Sequence, residues 1–359
     1  MSRIVCVAPA LPPHRYPQQT LTDAFAELVL PPGTDRRVLD RLHAAAGVRT
    51  RHLALPLESY PALAGFGAAN DAFIEVGVEL GTEAITAALD KAGLRATDID
   101  LIVSTSVTGV AAPSLDARLV PRLGLRPDIK RLPIFGLGCV AGAAGIARVH
   151  DFLQGDPDGV AVLLSVELCS LTVQRDDPSI ANLVASGLFG DGAAAVLMVG
   201  ERRAAAMGLT TGARQAPQVV ATRSRFYPGT ERVMGWDIGG TGFRIVLDAS
   251  VAEVVERYVG GDLATFLAAH DLKTSDIARW ISHPGGPKVL DALQRAAGLP
   301  DDALALSWEC LARVGNLSSA SVLHVLADTL DASPPVPGAS GVLLAMGPGF
   351  CAELVLLRW

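Results

Sequence analysis

Cys139 ends a run that closes Gly136-Leu137-Gly138 and precedes Val140-Ala141-Gly142-Ala143-Ala144-Gly145, residues too small to crowd a thiol. Ile146, Val149 and Leu153 then fall on one helical stripe. The cysteine is therefore expected where a buried strand or loop enters a helix. A helix N-terminus carries unpaired N–H groups and a partial positive charge, which favours thiolate over thiol. A nucleophile needs that; the plainer reading is a core cysteine. His283 precedes Pro284-Gly285-Gly286, as a proton acceptor at a strand tip or as a histidine before an ordinary turn. Asn316 follows Gly315 and opens another apolar helix, as an amide donor or as an N-cap. Together these groups could perform acyl transfer. His283 would take the thiol proton, Cys139 would attack a thioester, and His283 and Asn316 would donate to the oxygen that gains charge.

An internal repeat gives a reason for three distant residues to meet. GLRATDIDLIVSTS (93–106) resembles DLKTSDIARWISHP (271–284), with Asp98-Ile99 matching Asp276-Ile277. Gly138-Cys139 and Gly315-Asn316 each open a small-residue turn followed by an apolar helix. Duplication at this period implies two similar α/β halves about a pseudo-twofold axis. Cys139 and Asn316 would then occupy equivalent helix starts, and His283 the strand tip equivalent to Thr105.

The elements that must position these residues alternate along the chain. Strands are expected at 3–10, 98–106, 159–166, 193–199, 276–282, 341–346 and 352–357. Helices are expected at 20–30, 35–46, 70–93, 115–124, 178–188, 248–270, 287–297 and from 316 to about 330. In the 70–93 helix, Ile74, Val78, Ile85, Ala88 and Leu89 form one face. A soft boundary near 200–206 divides the chain into 1–205, carrying the cysteine, and 206–359, carrying the histidine and asparagine.

Half of the 359 residues are hydrophobic, enough for a sizeable core. A net charge of −7 without any Lys/Arg-rich run argues against nucleic-acid binding. Arg36, Arg37, Arg41, Arg49 and Arg51 form the densest positive cluster, either a solvated face or a site for a phosphate-bearing ligand. The five cysteines are scattered without CxxC spacing, so neither a metal site nor a disulfide framework is expected. No signal-peptide pattern and no apolar run of membrane-spanning length appear. A cytoplasmic protein without a membrane span is expected.

The blocks GLGCVAGAAGI, LFGDGAAAVL, WISHPGGPKVLDAL, VGNLSSASVL and MGPGF, in this order over essentially the whole chain, resemble the type III polyketide synthases, the chalcone-synthase-like family, in its bacterial type. The resemblance implies a thiolase-like duplicated αβαβα five-layer α/β fold, a homodimer, and a Cys-His-Asn triad at Cys139, His283 and Asn316. It implies CoA thioesters as substrates and no cofactor. Phe189 and Phe243 match two phenylalanines at the mouth of the family's cavity. Glu167, Cys169, Val107 and Ser318 match lining positions, and Gly347-Pro348-Gly349 matches a cyclisation-pocket loop. Arg41, Gly285 and Lys288 match the CoA entrance. There are departures: Val107 and Cys169 stand where Thr is common, Ala112 where a Met crosses the dimer interface, Met234 where a Gly is frequent, and Ala45 at a basic position. Ala345-Met346 precede the Gly-Pro-Gly loop in place of Gly-Phe.

The expected function is a polyketide synthase that loads an acyl-CoA starter on Cys139, condenses malonyl-CoA repeatedly with loss of CO₂, and cyclises the chain. Val107 and Ala112 suggest an aliphatic starter and an alkylpyrone or alkylresorcinol product. The alternatives are a ketoacyl-synthase-III-like single condensation with an acyl-carrier protein and, from another class, a noncatalytic binding protein on the same fold. A papain-like protease shares the three residue types but not the repeat.

Overall fold

The computed structural model describes residues 1–31, 33–212, 215–332 and 335–359. The strands are β1 (Ser2–Ala10), β2 (His14–Pro17), β3 (Thr50–Leu53), β4 (Leu101–Ser106), β5 (Lys130–Phe135), β6 (Val160–Leu168) and β7 (Asp191–Gly200). They continue as β8 (Gln218–Phe226), β9 (Met234–Gly239), β10 (Gly242–Leu247), β11 (Ile277–Ser282), β12 (Ser340–Gly347) and β13 (Cys351–Arg358). Nine form one mixed sheet in the order β11-β12-β13-β8-β1-β7-β6-β4-β5. β2 pairs with β3 and β9 with β10 as separate ribbons.

The duplication read from sequence is visible in this order. β4-β6-β7-β1 and β11-β12-β13-β8 each run inward as one parallel pairing followed by two antiparallel ones. The two quartets join as one sheet where Ser2 and Arg3 of β1 pair with Val219 and Gln218 of β8. The matched aspartates do the same task in both halves. Asp98 accepts from the Arg95 N–H at 2.9 Å, and Asp276 accepts from the Lys273 N–H at 2.8 Å. Each caps a one-turn 3₁₀ helix that feeds β4 or β11.

The helices are α1 (Gln18–Val29), α2 (Arg37–Ala44), α3 (Gly65–Ala92), α4 (Leu115–Leu123), α5 (Ala141–Gly155), α6 (Ile180–Leu188) and α7 (Glu201–Ala206). Then follow α8 (Val251–Val254), α9 (Gly260–Ala268), α10 (Pro287–Ala297), α11 (Ala305–Val314) and α12 (Ser321–Ala332). Strand periodicity sorts the core into layers. Val160, Val162, Leu164 and Val166 of β6 join the α3 cluster, whereas Ala161 and Leu163 face α5 and α12 between the two quartets. On β12, Leu343 and Ala345 face the same central layer while Val342, Leu344 and Met346 face α9 and α10. Five layers result, with α5 and α12 in the middle. Ile146, Val149 and Leu153 are fully buried there, each worth about 1.5–3 kcal/mol.

Three expectations change. On α3, Ile85, Ala88 and Leu89 are buried, but Ile74 and Val78 lie at the margin. Gly77 and Gly81 take the face instead; a Cβ on Gly81 would sit 3.0 Å from Leu164, so small residues mark the closest contact with β6. The strand before Cys139 is not buried. β5 is an edge strand paired only to β4, and Leu132 and Phe135 are 42% and 49% exposed. Finally, β3 and α11 arise where no element was expected.

The central layer tolerates no extra volume at Gly142. A Cβ there would overlap the carbonyl oxygen of Ser319 and sit 2.8 Å from Val322. Gly142→Val is expected to destabilise the protein by about 1–3 kcal/mol, read as a lower urea midpoint. An unchanged midpoint would contradict this account of the α5–α12 contact.

Candidate active site

Cys139 lies in a 3₁₀ turn, Gly138–Val140, that runs straight into α5. The turn requires its glycine. Gly138 has φ of +55°, and a Cβ on it would sit 2.7 Å from the Pro348 ring. Gly347 approaches from the same loop, with its Cβ position 2.7 Å from the Leu137 carbonyl and 2.8 Å from the Val140 nitrogen. The Gly347-Pro348-Gly349 turn is thus seated on the turn that carries the thiol.

His283 follows β11, and its N–H donates to the Leu344 carbonyl at 2.9 Å. Its ring is buried, and neither nitrogen has a partner among the described residues. The other buried histidines differ. His43 bonds Thr22 and Ser186, His150 bonds Ser2 and Gln154, and His324 bonds the Ala193 carbonyl. An unsatisfied buried polar group costs about 1–3 kcal/mol, so His283 is a ring held ready for a partner that the fold does not supply.

Asn316 makes the capping bond that one of its sequence readings called for. Its Oδ1 accepts from the Ser318 N–H at 2.8 Å, as a cap does. That bond fixes the carboxamide so that Nδ2 points toward Gly285, 3.4 Å from the Gly285 carbonyl. Ser318 has a φ of +48° and receives the Cys139 thiol at 3.7 Å.

Burial sets the electrostatics. It pushes the Cys139 thiol up to about 12, against the Ser318 hydrogen bond; the Glu167 charge adds to the rise. Burial also pulls His283 down to about 3. Burial thus disfavours the charged form of each group.

Cys139, His283 and Asn316 line one cavity of about 70 Å³. Val107, Phe189, Ser318, Gly285 and Pro348 share it. The remaining predicted residues lie elsewhere. Glu167 is behind the wall, where it accepts from the Val107 and Ser319 N–H groups and from the Ser106, Thr108 and Ser319 hydroxyls. This is the hub reading rather than a cavity surface. Cys169 faces a second cavity of about 590 Å³, separated from the first by Phe189, Trp236 and Ile245. Phe243 is packed among Phe66, Phe135 and Trp236, away from the space at Cys139. Gly347 and Gly349 support the loop and only Pro348 reaches the cavity. Ala112 is exposed on the loop after β4, so it does not widen the cavity.

The arginine cluster is mostly neutralised. Arg36 pairs with Asp23 and Asp40, Arg37 with Asp35, and Arg49 with Glu309. Arg51 is buried. Arg41 remains exposed without an ion pair among the described residues. Lys288 is exposed on the first turn of α10, whose Pro287 lies beside Gly47 of the segment after α2. Among the described residues no cluster of three His, Cys, Asp or Glu could hold a metal ion. Trp236, Leu188 and Phe350 also line the cavity; sequence reasoning passed over them because nothing local distinguishes them from core.

Residues 1–202 match the model of the N-terminal domain of chalcone and stilbene synthases, and 218–359 match that of the C-terminal domain. The chain is 61% identical over 358 residues to a 1,3,6,8-tetrahydroxynaphthalene synthase of Streptomyces peucetius subsp. caesius, covering 99% of this chain and 93% of that one. It is 32% identical to a putative chalcone synthase of Bacillus subtilis, covering 100% and 99%. The crystal structure of the 1,3,6,8-tetrahydroxynaphthalene synthase of Streptomyces coelicolor A3(2), a bacterial type III polyketide synthase, superposes with a TM-score of 0.91 at 32% identity over 99% of both chains. With the duplicated thiolase-like fold, these matches place the chain in the chalcone and stilbene synthase family, the type III polyketide synthases.

Proposed function

We propose that Cys139 carries the growing acyl chain and that His283 and Asn316 stabilise the enolate made from malonyl-CoA. The observation that carries this reading is the unpartnered His283 ring in one small cavity with Cys139 and Asn316. The reaction class is that of the family, decarboxylative condensation of CoA thioesters without an added cofactor. His283 takes the Sγ proton; the thiolate attacks the thioester carbonyl and CoA leaves with that proton. Malonyl-CoA then loses CO₂, and the electrons of the broken C–C bond pass to the thioester oxygen. His283 and the Asn316 Nδ2 donate to that oxygen. The carbanion attacks the Cys139 thioester, forming a C–C bond and expelling the thiolate.

For the product, the reading is a malonyl-derived polyhydroxynaphthalene, in place of the alkylpyrone or alkylresorcinol expected from Val107 and Ala112. A relative sharing 61% of its residues is named for 1,3,6,8-tetrahydroxynaphthalene. The alternate hydroxyls of that ring system are those of a chain built wholly from two-carbon units. A cavity of about 70 Å³ also suits a short starter better than a long tail.

The free edge of β5, with Leu132 and Phe135 exposed, suits pairing with a second copy as a homodimer. Exposed Arg41 and Lys288, with Gly285 at the cavity, suit a CoA phosphate at the entrance. Phe189 forms the inner wall; the roles expected for Phe243, Cys169 and Glu167 become support around the site. The two halves are taken as 1–205 and 206–359, and the location as cytoplasmic. No helix among the described residues is long and apolar enough to cross a membrane.

Incubation with malonyl-CoA alone is expected to release CO₂ and yield a naphthalene-type tetraol by mass spectrometry. Absolute dependence on an added acyl-CoA would contradict the product assignment. His283→Ala tests the proton transfer. Without the imidazole the thiol keeps its burial-raised value, so iodoacetamide alkylation of Cys139 slows at pH 7. Its rate then climbs about tenfold per pH unit into the alkaline range. An alkylation profile identical to wild type would contradict the pair.

A further inference from the structure

Arg51 has no task in the chemistry above, yet it lies beneath two of the residues that matter. We infer that Arg51 is a positioning residue that fixes segment 188–190 from below and, through it, sets the Asn316 carboxamide and the Phe189 wall. The inference rests on the reading of Asn316 as an enolate donor.

A guanidinium that is only 4% exposed must find its partners inside the protein. Arg51 Nη1 donates to the Phe189 carbonyl at 2.7 Å, and Nε to Oε1 of Gln18 at 3.0 Å. Gln18 Nε2 donates in turn to the Gly187 carbonyl at 2.7 Å. Arg51 and Gln18 thus hold alternate carbonyls at the end of α6. Neighbouring backbone groups of the same segment bond Asn316 instead. The Leu188 carbonyl accepts from the Asn316 N–H at 2.8 Å, and the Gly190 N–H donates to the Asn316 carbonyl at 3.0 Å. Residues 188–190 are therefore clamped between Arg51 on one side and Asn316 on the other.

The side-chain stem adds a second contact. Gly315 has φ of +76°, and a Cβ on it would sit 3.1 Å from Arg51 Cγ and Cδ and 2.8 Å from the Leu188 carbonyl. Arg51 methylenes thus lie directly under the residue that precedes Asn316. The counter-charge is Asp191, fully buried and held by the Ala54 N–H at 2.6 Å, the Ser170 N–H at 2.8 Å and the Ser170 hydroxyl. Its attraction opposes the burial that lowers the Arg51 value to about 10, so Arg51 remains charged at neutral pH. This gives a local reason for the aspartate of the Phe-Gly-Asp-Gly block. It supplies an opposite charge that offsets part of the cost of burying Arg51.

Displacement of a catalytic donor by about 1 Å can cost about 10²-fold in rate. The test uses the full-length enzyme and three variants, Arg51→Met, Arg51→Lys and Gln18→Leu, with Asn316→Ala as control. Malonyl-CoA decarboxylation is compared with iodoacetamide alkylation of Cys139, and folding is checked by circular dichroism. Arg51→Met is expected to lose about 10–10²-fold in decarboxylation with alkylation little changed. Arg51→Lys should recover part of the loss, and Gln18→Leu should show a smaller loss of the same kind. A folded Arg51→Met with wild-type decarboxylation overturns the inference, as does an equal fall in decarboxylation and alkylation. If Arg51→Met does not fold, Gln18→Leu decides, and an unchanged ratio of the two rates overturns the inference. Wild-type decarboxylation by Asn316→Ala would instead remove the reading of Asn316 on which the inference stands.

Discussion

The site depends on how closely the first turn of α5 approaches the turn before α12. Gly142 leaves room for the Ser319 carbonyl, and the Ser319 hydroxyl reaches on to Glu167. Glu167 also gathers the N–H of Val107 and the hydroxyls of Ser106 and Thr108 from the loop after β4. A single buried carboxylate therefore ties that loop and β6 of the first half to the Asn316 turn of the second. Burial raises its pKa, while the Ser319, Val107 and Thr108 bonds lower it. Leaving such a buried acceptor without one of its donors costs about 1–3 kcal/mol, and here the loss would fall on the relative placement of Cys139 and Asn316.

The turns held in this way border the cavity that Cys139, His283 and Asn316 share. His283 is buried and Cys139 partly so, and burial disfavours the charged form of each. In such surroundings each hydrogen bond to a developing charge is stronger than in solution. Ser318 near the thiol and the Asn316 Nδ2 are fixed before substrate arrives, one by an unusual backbone angle and the other by its own oxygen. The unsatisfied His283 ring costs folding free energy, and the proposed function gives it a partner in a ligand oxygen or the thiol proton. A structural histidine would have been given a partner, as His43, His150 and His324 are.

Much of this was legible in the residues. The stripe Ile146, Val149, Leu153 gave the helix after Cys139, and the matched Asp98 and Asp276 gave the duplication through a shared capping bond. The repeat also led to the grouping of Cys139, His283 and Asn316, which line one cavity. What was not legible depends on tertiary neighbours. β5 has an apolar composition yet forms an edge, which its own residues do not encode. Phe243 sits on β10, whose Ile245, Val246 and Leu247 line the cavity, but its ring packs among Phe66, Phe135 and Trp236, and Cys169 lines the neighbouring cavity; neither outcome is encoded by the residues around them. Arg51 read as one of five surface cations; only the carbonyls of Phe189 and Gly187 at the end of a distant helix account for its burial. The burial that raises the Cys139 thiol was likewise not readable from the small residues around it.

The central claim, that the chain grows on Cys139 under the donors His283 and Asn316, is tested most directly by rapid-quench mass spectrometry of peptides after mixing with malonyl-CoA. The account predicts transient thioester masses, rising by two-carbon ketide steps, on the peptide containing Cys139 alone. Turnover with no mass on that peptide, or with the chain on Cys169 or Cys351, would contradict it.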